Sequence, residues 1–238
     1  MIPDAGIVLS ALVVFAGACV QGVSGIGFAL FAAPLVALSN PGLVPGPMLV
    51  LGATVSLLAA VREHQHIDYS AASIALLGRV PGSIAAGFVV GWLAPASFGA
   101  VFGLLILAAL GASFAKRPIR PGRAALGVAG FASGFMGTIT SVGTPPIGIV
   151  LQGWRPHRLR PTVGAFLFAG SLVSIAVLVI AGRFQWQDMG ASCAMLPALA
   201  LGFWVSGRIN LRVAPAAIGH AVRLTCLFAA LLLLARAF

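Results

Sequence analysis

Gly137-Thr-Ile-Thr-Ser-Val-Gly-Thr-Pro-Pro146 lies inside an apolar stretch that runs from about 122 to 152. Glycine loses much conformational freedom in a helix, and proline removes a backbone donor and clashes with the preceding turn. No straight helix runs unbroken through such a segment. The stretch from about 6 to 38 is interrupted in the same way by Gln21-Gly-Val-Ser-Gly-Ile-Gly27. A helix crossing a bilayer core needs about 20 apolar residues, whereas these stretches span 31 and 33 residues. Each is therefore a kinked span or a pair of half-helices meeting inside the membrane.

The rest of the composition names the solvent. Of 238 residues, 60% are hydrophobic and 8% charged, against about 25% charged in a soluble domain. Too few charges exist to cover a water-facing surface, and too many apolar residues for disorder. The apolar runs are long and continuous, which excludes the short alternating strands of a membrane barrel. The partner is a lipid bilayer, and the chain reads as an all-α membrane protein. Met1-Ile-Pro-Asp4 lacks a positive leader, so no cleavable signal peptide is expected. Cys19, Cys193 and Cys226 are scattered in apolar runs and read as small buried hydrophobes.

Further apolar runs fall at about 43–62, 70–93 and 97–115, then at about 161–182, 189–207 and 213–236. Each broken stretch thus precedes three spans. An offset of 116 pairs Gly27 with Gly143, Pro45 with Pro161, Pro81 with Pro197, Gly91 with Gly207 and Gly103 with Gly219. The organisation expected is a first membrane repeat over 1–115, a basic cytoplasmic linker over 116–123 and a second repeat over 124–238.

Charge sets the topology. If each broken stretch crosses once, seven basic residues lie inside and five outside. If each is a re-entrant hairpin, Arg62, Lys116, Arg117, Arg120, Arg123, Arg155, Arg158, Arg160, Arg208 and Arg212 lie inside, and only Arg183 and Arg236 outside. The second arrangement obeys the positive-inside rule far better. The net charge of +10 is thereby a topological signal and not a nucleic-acid footprint. The expectation is an inverted-repeat helical bundle with two re-entrant hairpins and six full transmembrane spans, the architecture of alternating-access transporters.

Hairpin tips cannot face lipid and must be buried or line a cavity. Broken helices leave free N–H groups that bind anions. Gln21, Ser24, Gly25, Gly27 and Phe28 at one tip, and Thr140, Ser141, Gly143, Thr144 and Pro145 at the other, are therefore candidate substrate-binding residues. Arg79 and Arg223 each lie about ten residues into a span, near the midplane at 1.5 Å per residue. A charge at that depth points to function. The acids Asp4, Glu63, Asp68 and Asp188 all fall at predicted membrane surfaces, so a small anionic substrate is the natural counter-ion. His220 shares a helix face with Arg223 and is a proton-coupling candidate.

Other chemistries are thin. His64 and His66 belong to a solvated loop without further ligands, so no metal site is expected, and no cofactor motif is present. Gly22-Val-Ser-Gly25 with His220 resembles the serine–histidine pair of rhomboid intramembrane proteases, which would need the two side chains within hydrogen-bond reach.

Gln21-Gly-Val-Ser-Gly-Ile-Gly-Phe28 leading to Pro34-Leu35, paired with Gly137 to Pro146 and Arg160-Pro-Thr162, resembles the two signatures of the TauE/SafE family of sulfite exporters. The resemblance covers nearly the whole chain. It implies a permease of the bacterial inner membrane for sulfite, sulfonates or related organic anions, working without ATP, with Ser24–Phe28 and Thr140–Pro146 lining the path. Ile26, Thr138 and Val142 interrupt the family's run of glycines. A homodimer is compatible with this reading.

Overall fold

A computed structural model describes residues 5–93, 95–113, 121–209 and 215–236. Among them the chain is all-helical: α1 (Ala5–Ser24), α2 (Phe28–Ser39), α3 (Gly46–Arg62), α4 (Tyr69–Trp92), α5 (Pro95–Ser113), α6 (Arg123–Thr140), α7 (Thr144–Leu151), α8 (Pro156–Ile180), α9 (Trp186–Ile209) and α10 (Pro215–Ala235). Both suspect stretches are broken in two, at residues 25–27 and 141–143. Residues 114–120, which include the first five of the linker, lie outside the described residues.

Local chemistry sets the boundaries. Gly25 (φ +78°), Gly27 (φ +119°) and Ser141 (φ +64°) take left-handed conformations at the two breaks, which stop a right-handed helix. Prolines occupy the first turns of α3, α7 and α8, where the missing donor costs nothing. Asp68 caps α4, accepting from the Ala71 N–H at 2.9 Å. That bond, together with the Arg158 ion pair, holds its carboxyl below the ordinary carboxylate range.

The breaks fall late in their stretches. The first arms, α1 and α6, have 20 and 18 residues, and the returning arms, α2 and α7, only 12 and 8. Each broken stretch is thus one long and one short arm. The turns accordingly lie beside the ends of other helices. Gly22 accepts from Arg62, the last residue of α3, and Ser141 donates to Pro45, the residue before α3. Within the described residues α1, α4, α8 and α9 are long and apolar enough to cross a membrane. The helices α2, α3, α5 and α10 contribute shorter apolar segments.

Packing follows a matched scheme. The helix α1 packs on α9 as α6 packs on α4, and α2 packs on α10 as α7 packs on α5. Between them, α3 lies against α8 and α5 against α10, while α4 contacts α8 as α9 contacts α3. The largest contact is α4 on α6, and it is made backbone to backbone. A Cβ on Gly130 would overlap the Ala75 carbonyl, one on Gly134 the Arg79 carbonyl, and one on Gly78 the Gly127 carbonyl. Small residues let helices approach where lipid offers no hydrophobic drive for association. The four-residue advance on both helices, from Ala75 and Gly130 to Arg79 and Gly134, means that α4 and α6 run in the same direction.

This contact yields a stability prediction. Gly130→Ala should cost about 1–3 kcal/mol, the usual penalty of overpacking. On the same helix Gly127→Ala, whose Cβ would meet nothing within 4 Å, should be neutral or stabilising by up to about 1 kcal/mol through helix propensity. Thermal unfolding of the purified proteins in detergent measures both. Equal melting temperatures for the two variants would remove the backbone contact as the cause.

Candidate functional site

Arg79 is the largest fully buried side chain, 1% exposed, on the middle of α4. Its Nη1 donates to Ser133 Oγ on α6 at 2.8 Å, and Ser133 donates to the Gly143 carbonyl at 2.5 Å. The guanidinium is thus tied through one hydroxyl to the residue that precedes α7. Its carbon lies 5.2 Å from the centre of the Phe166 ring on α8, within cation–π range. Its Nε is buried without a hydrogen-bond partner.

Four glycines make room for this group. A Cβ on Gly170 would come within 2.6 Å of the guanidinium carbon, one on Gly143 within 2.8 Å of Nη1, one on Gly137 within 3.1 Å of Nη2, and one on Gly134 within 3.0 Å of the Arg79 Cγ. These residues belong to α6, the second turn and α8, so three elements of the second half shape themselves around one side chain from the first. The two ion pairs among the described residues, Arg62–Glu63 and Arg158–Asp68, lie at helix ends. Neither reaches Arg79.

Buried hydroxyls continue from this point. Thr138 on α6 donates to Ser174 on α8 at 2.9 Å, Ser174 donates to the Gly170 carbonyl at 3.0 Å, and Ser83 on α4 lies 3.5 Å from Ser174. Ser83, Ser133, Thr138 and Ser174 are all fully buried. The sequence reading passed over Ser83, Ser133 and Ser174 as well as Gly170. A usable signal was their spacing: Arg79 and Ser83, like Gly170 and Ser174, are four apart and share a helix face.

The second turn supplies the remaining polar groups. Thr140 donates to the Met136 carbonyl and accepts from the Val142 N–H, and Ser141 donates to the Pro45 carbonyl. These two hydroxyls shape the turn. Thr144, buried at the start of α7 beside Pro145, makes no side-chain hydrogen bond among the described residues. Arg79, Gly143 and the first turn of α7 thus converge. Pro145 and Pro146 carry no N–H, so the donors gathered here are the Arg79 guanidinium and Thr144, and a guanidinium fork suits a small oxyanion.

The first turn is built differently. Gln21 is 2% exposed, its Nε2 donates to the Gly25 carbonyl, and its Oε1 accepts from the Phe28 N–H. Ser24 donates to the Val20 and Ile26 carbonyls. Phe28 is buried in the apolar core with Val14 and Ala18. The polar side chains of this tip bond back to its own backbone, with Gly25 and Gly27 supplying its left-handed conformations.

Arg223 lies on α10, which packs on α5 and α2, whereas Arg79 lies between α4, α6 and α8. The structure does not gather the two arginines at one turn, and Arg223 has interactions of its own. The side chain of His220 lies outside the described residues. Its pairing with Ser24 gains no support, because the Ser24 hydroxyl is committed to its own turn. Among the described residues no group of three or more histidine, cysteine, aspartate or glutamate side chains is placed to hold a metal ion.

The glycine cradle gives a quantitative expectation. Gly170→Ala should destabilise the protein by about 1–3 kcal/mol, because the guanidinium must leave its position. In an Arg79→Met background most of that cost should vanish, giving a coupling energy of about 1–3 kcal/mol. Unfolding of the four proteins of the double-mutant cycle measures it. Additive costs would mean that Gly170 and Arg79 are not mutually fitted.

A family model for the sulfite exporters TauE/SafE matches residues 9–234. No curated protein and no solved structure matches the chain. A match over nearly the whole length, on a chain of apolar helices broken at two glycine-rich turns, fixes the relationship: this multi-pass membrane protein belongs to the sulfite exporter TauE/SafE family.

Proposed function

We propose that the chain is a permease of the bacterial inner membrane that carries sulfite or a related small sulfonate or organic anion. The anion is held between the Arg79 guanidinium and the first turn of α7, with Thr144 as a hydroxyl donor. The observation that carries this reading is the position of Arg79: a fully buried cation with no carboxylate partner among the described residues, facing the start of a helix. A buried charge without a partner costs several kcal/mol, and an anion arriving at the site offsets that cost.

Transport follows from two halves of opposite orientation exposing this site alternately. The matched packing of α1 to α5 and α6 to α10 supports such a pairing. So do the turns themselves. Gly25 contacts Arg160, next to Pro161, and Ser141 contacts Pro45. Residues 25 and 141, like residues 45 and 161, are 116 apart. Each turn therefore meets the equivalent place on the opposite half. In this reading the turns at 25–27 and 141–143 are the tips of re-entrant hairpins. The ends that carry Arg62 and Arg155 to Arg160 lie in the cytoplasm.

The test is flux of radiolabelled sulfite into proteoliposomes, with thermal-shift measurements on the same protein. Wild type should carry sulfite or a small sulfonate and melt higher with it, since a ligand that binds only the folded state stabilises it. Arg79→Gln should abolish flux and the ligand shift while leaving the ligand-free protein as stable or more stable, because a costly buried charge is gone. Lost stability with unchanged flux would make Arg79 a structural strut.

A second variant separates binding from folding. Thr144→Val should weaken anion binding by about 1–3 kcal/mol, the usual effect of an unmet hydrogen bond, without moving the ligand-free melting temperature. Ser141→Ala should instead act on the turn, because that hydroxyl is already bonded to Pro45. Unchanged sulfite affinity in Thr144→Val would take Thr144 out of the site.

A further inference from the structure

We propose that Arg160 is a second contact for the substrate anion, at the entrance beside the first turn; this rests on the permease reading above. The aliphatic stem of Arg160, from the first turns of α8, lies across Gly25. A Cβ there would come within 2.6 Å of its Cδ and 2.8 Å of its Cβ. Gly25 is also in the left-handed region at φ +78°, so both backbone and space demand glycine at the point where the arginine crosses.

Two neighbouring cations are already engaged, and Arg155, one turn earlier, is exposed. Arg158 pairs with Asp68 and lies over the Trp154 ring. Arg62 donates to the Gly22 carbonyl at 3.0 Å and faces Glu63 at 3.8 Å. Arg160 is partly buried, and among the described residues nothing hydrogen-bonds or ion-pairs with its guanidinium. A cation held at a fixed place with its donors unspent is suited to a mobile anion.

Elimination leads to the same residue. Ser24 has spent its hydroxyl on the turn and Gln21 one of its two amide N–H groups, so the first tip has no charged donor of its own for a substrate. An anion that moves between this entrance and Arg79 must meet some fixed donor at the entrance, and Arg160 is the cation seated on the tip. The equivalent position in the other half is Val44, so a charge stands at one entrance and an apolar residue at the other. Anion capture should therefore be stronger at the end carrying Arg160.

The experiment measures sulfite flux in oriented proteoliposomes, from each face separately, for wild type, Arg160→Gln, Arg160→Lys and Arg158→Gln. Arg160→Gln should raise the half-saturation concentration about tenfold on the face that carries residues 62–68, as expected for one lost charge-assisted hydrogen bond. The opposite face and the melting temperature should be unaffected. Arg160→Lys should recover part of the loss, because it keeps charge and stem but not the fork. Arg158→Gln, which opens a surface ion pair on the same side, should behave as wild type. If Arg160→Gln fails to fold, the lysine variant and the salt dependence of wild-type capture decide, since a charged entrance loses affinity with ionic strength. Sulfite flux in wild type with an unchanged half-saturation in Arg160→Gln and Arg160→Lys overturns the role of Arg160 alone. Absence of flux and of any ligand shift in wild type overturns the permease reading and this inference with it.

Discussion

One buried charge organises the second half of the molecule. Arg79 enters from α4 into a region where a bare guanidinium is costly, and the surrounding elements answer it with backbone and hydroxyls. Gly134, Gly137, Gly143 and Gly170 leave the volume, Ser133 accepts one N–H, and Phe166 offers a ring face. This explains why the largest helix contact, α4 on α6, is made through glycines. Side chains between those helices would hold Arg79 away from the second turn.

The two turns solve the same problem by different means. Inside a bilayer each interrupted helix strands backbone groups that water cannot reach. The first turn meets this with side chains of its own, Gln21 and Ser24, and so closes on itself. The second leans on the rest of the protein: Gly143 on Ser133 and Arg79, and Ser141 on Pro45. A turn stabilised from within keeps its shape when its neighbours move. A turn stabilised by its neighbours responds to them, which suits the turn beside which the anion is proposed to bind.

Much of this was legible in the chain because membrane solvation is so restrictive. Few charges and long apolar runs left only a helical bundle, and the glycine-rich segments located both breaks to within a few residues. Hydropathy alone marks where a helix is apolar; the glycine-rich segments placed the turns, and the backbone fixed the ends of the first arms at Ser24 and Thr140. For the site, Arg79 was visible as a charge at mid-span. Ser133 was not, because a lone serine on a membrane helix carries no signal until its neighbour is known, and Gly170 and Ser174 offered only their four-residue spacing. Gln21 and Ser24 stood out for polarity that the turn itself consumes. The spacing alone gave Arg223 the same standing as Arg79, and packing on different helices separates them.

The proposed anion site lies where the two halves depart from symmetry. At the sequence offset of 116 the residue that falls opposite Arg79 is Met195, buried at 3% exposure in the apolar core. A symmetric pair of arginines would place two charges in one low-dielectric interior and add their mutual repulsion to two desolvation costs. A methionine in the second place fills similar volume without charge and adapts to irregular packing. In the proposed permease the repeat supplies two equivalent moving halves while selectivity rests on one side chain. On this view the pseudo-symmetry of the packing is a property of movement and its breaking at residues 79 and 195 a property of recognition. That is why the polar seam of Ser83, Ser133, Thr138 and Ser174 gathers on the Arg79 side of the bundle.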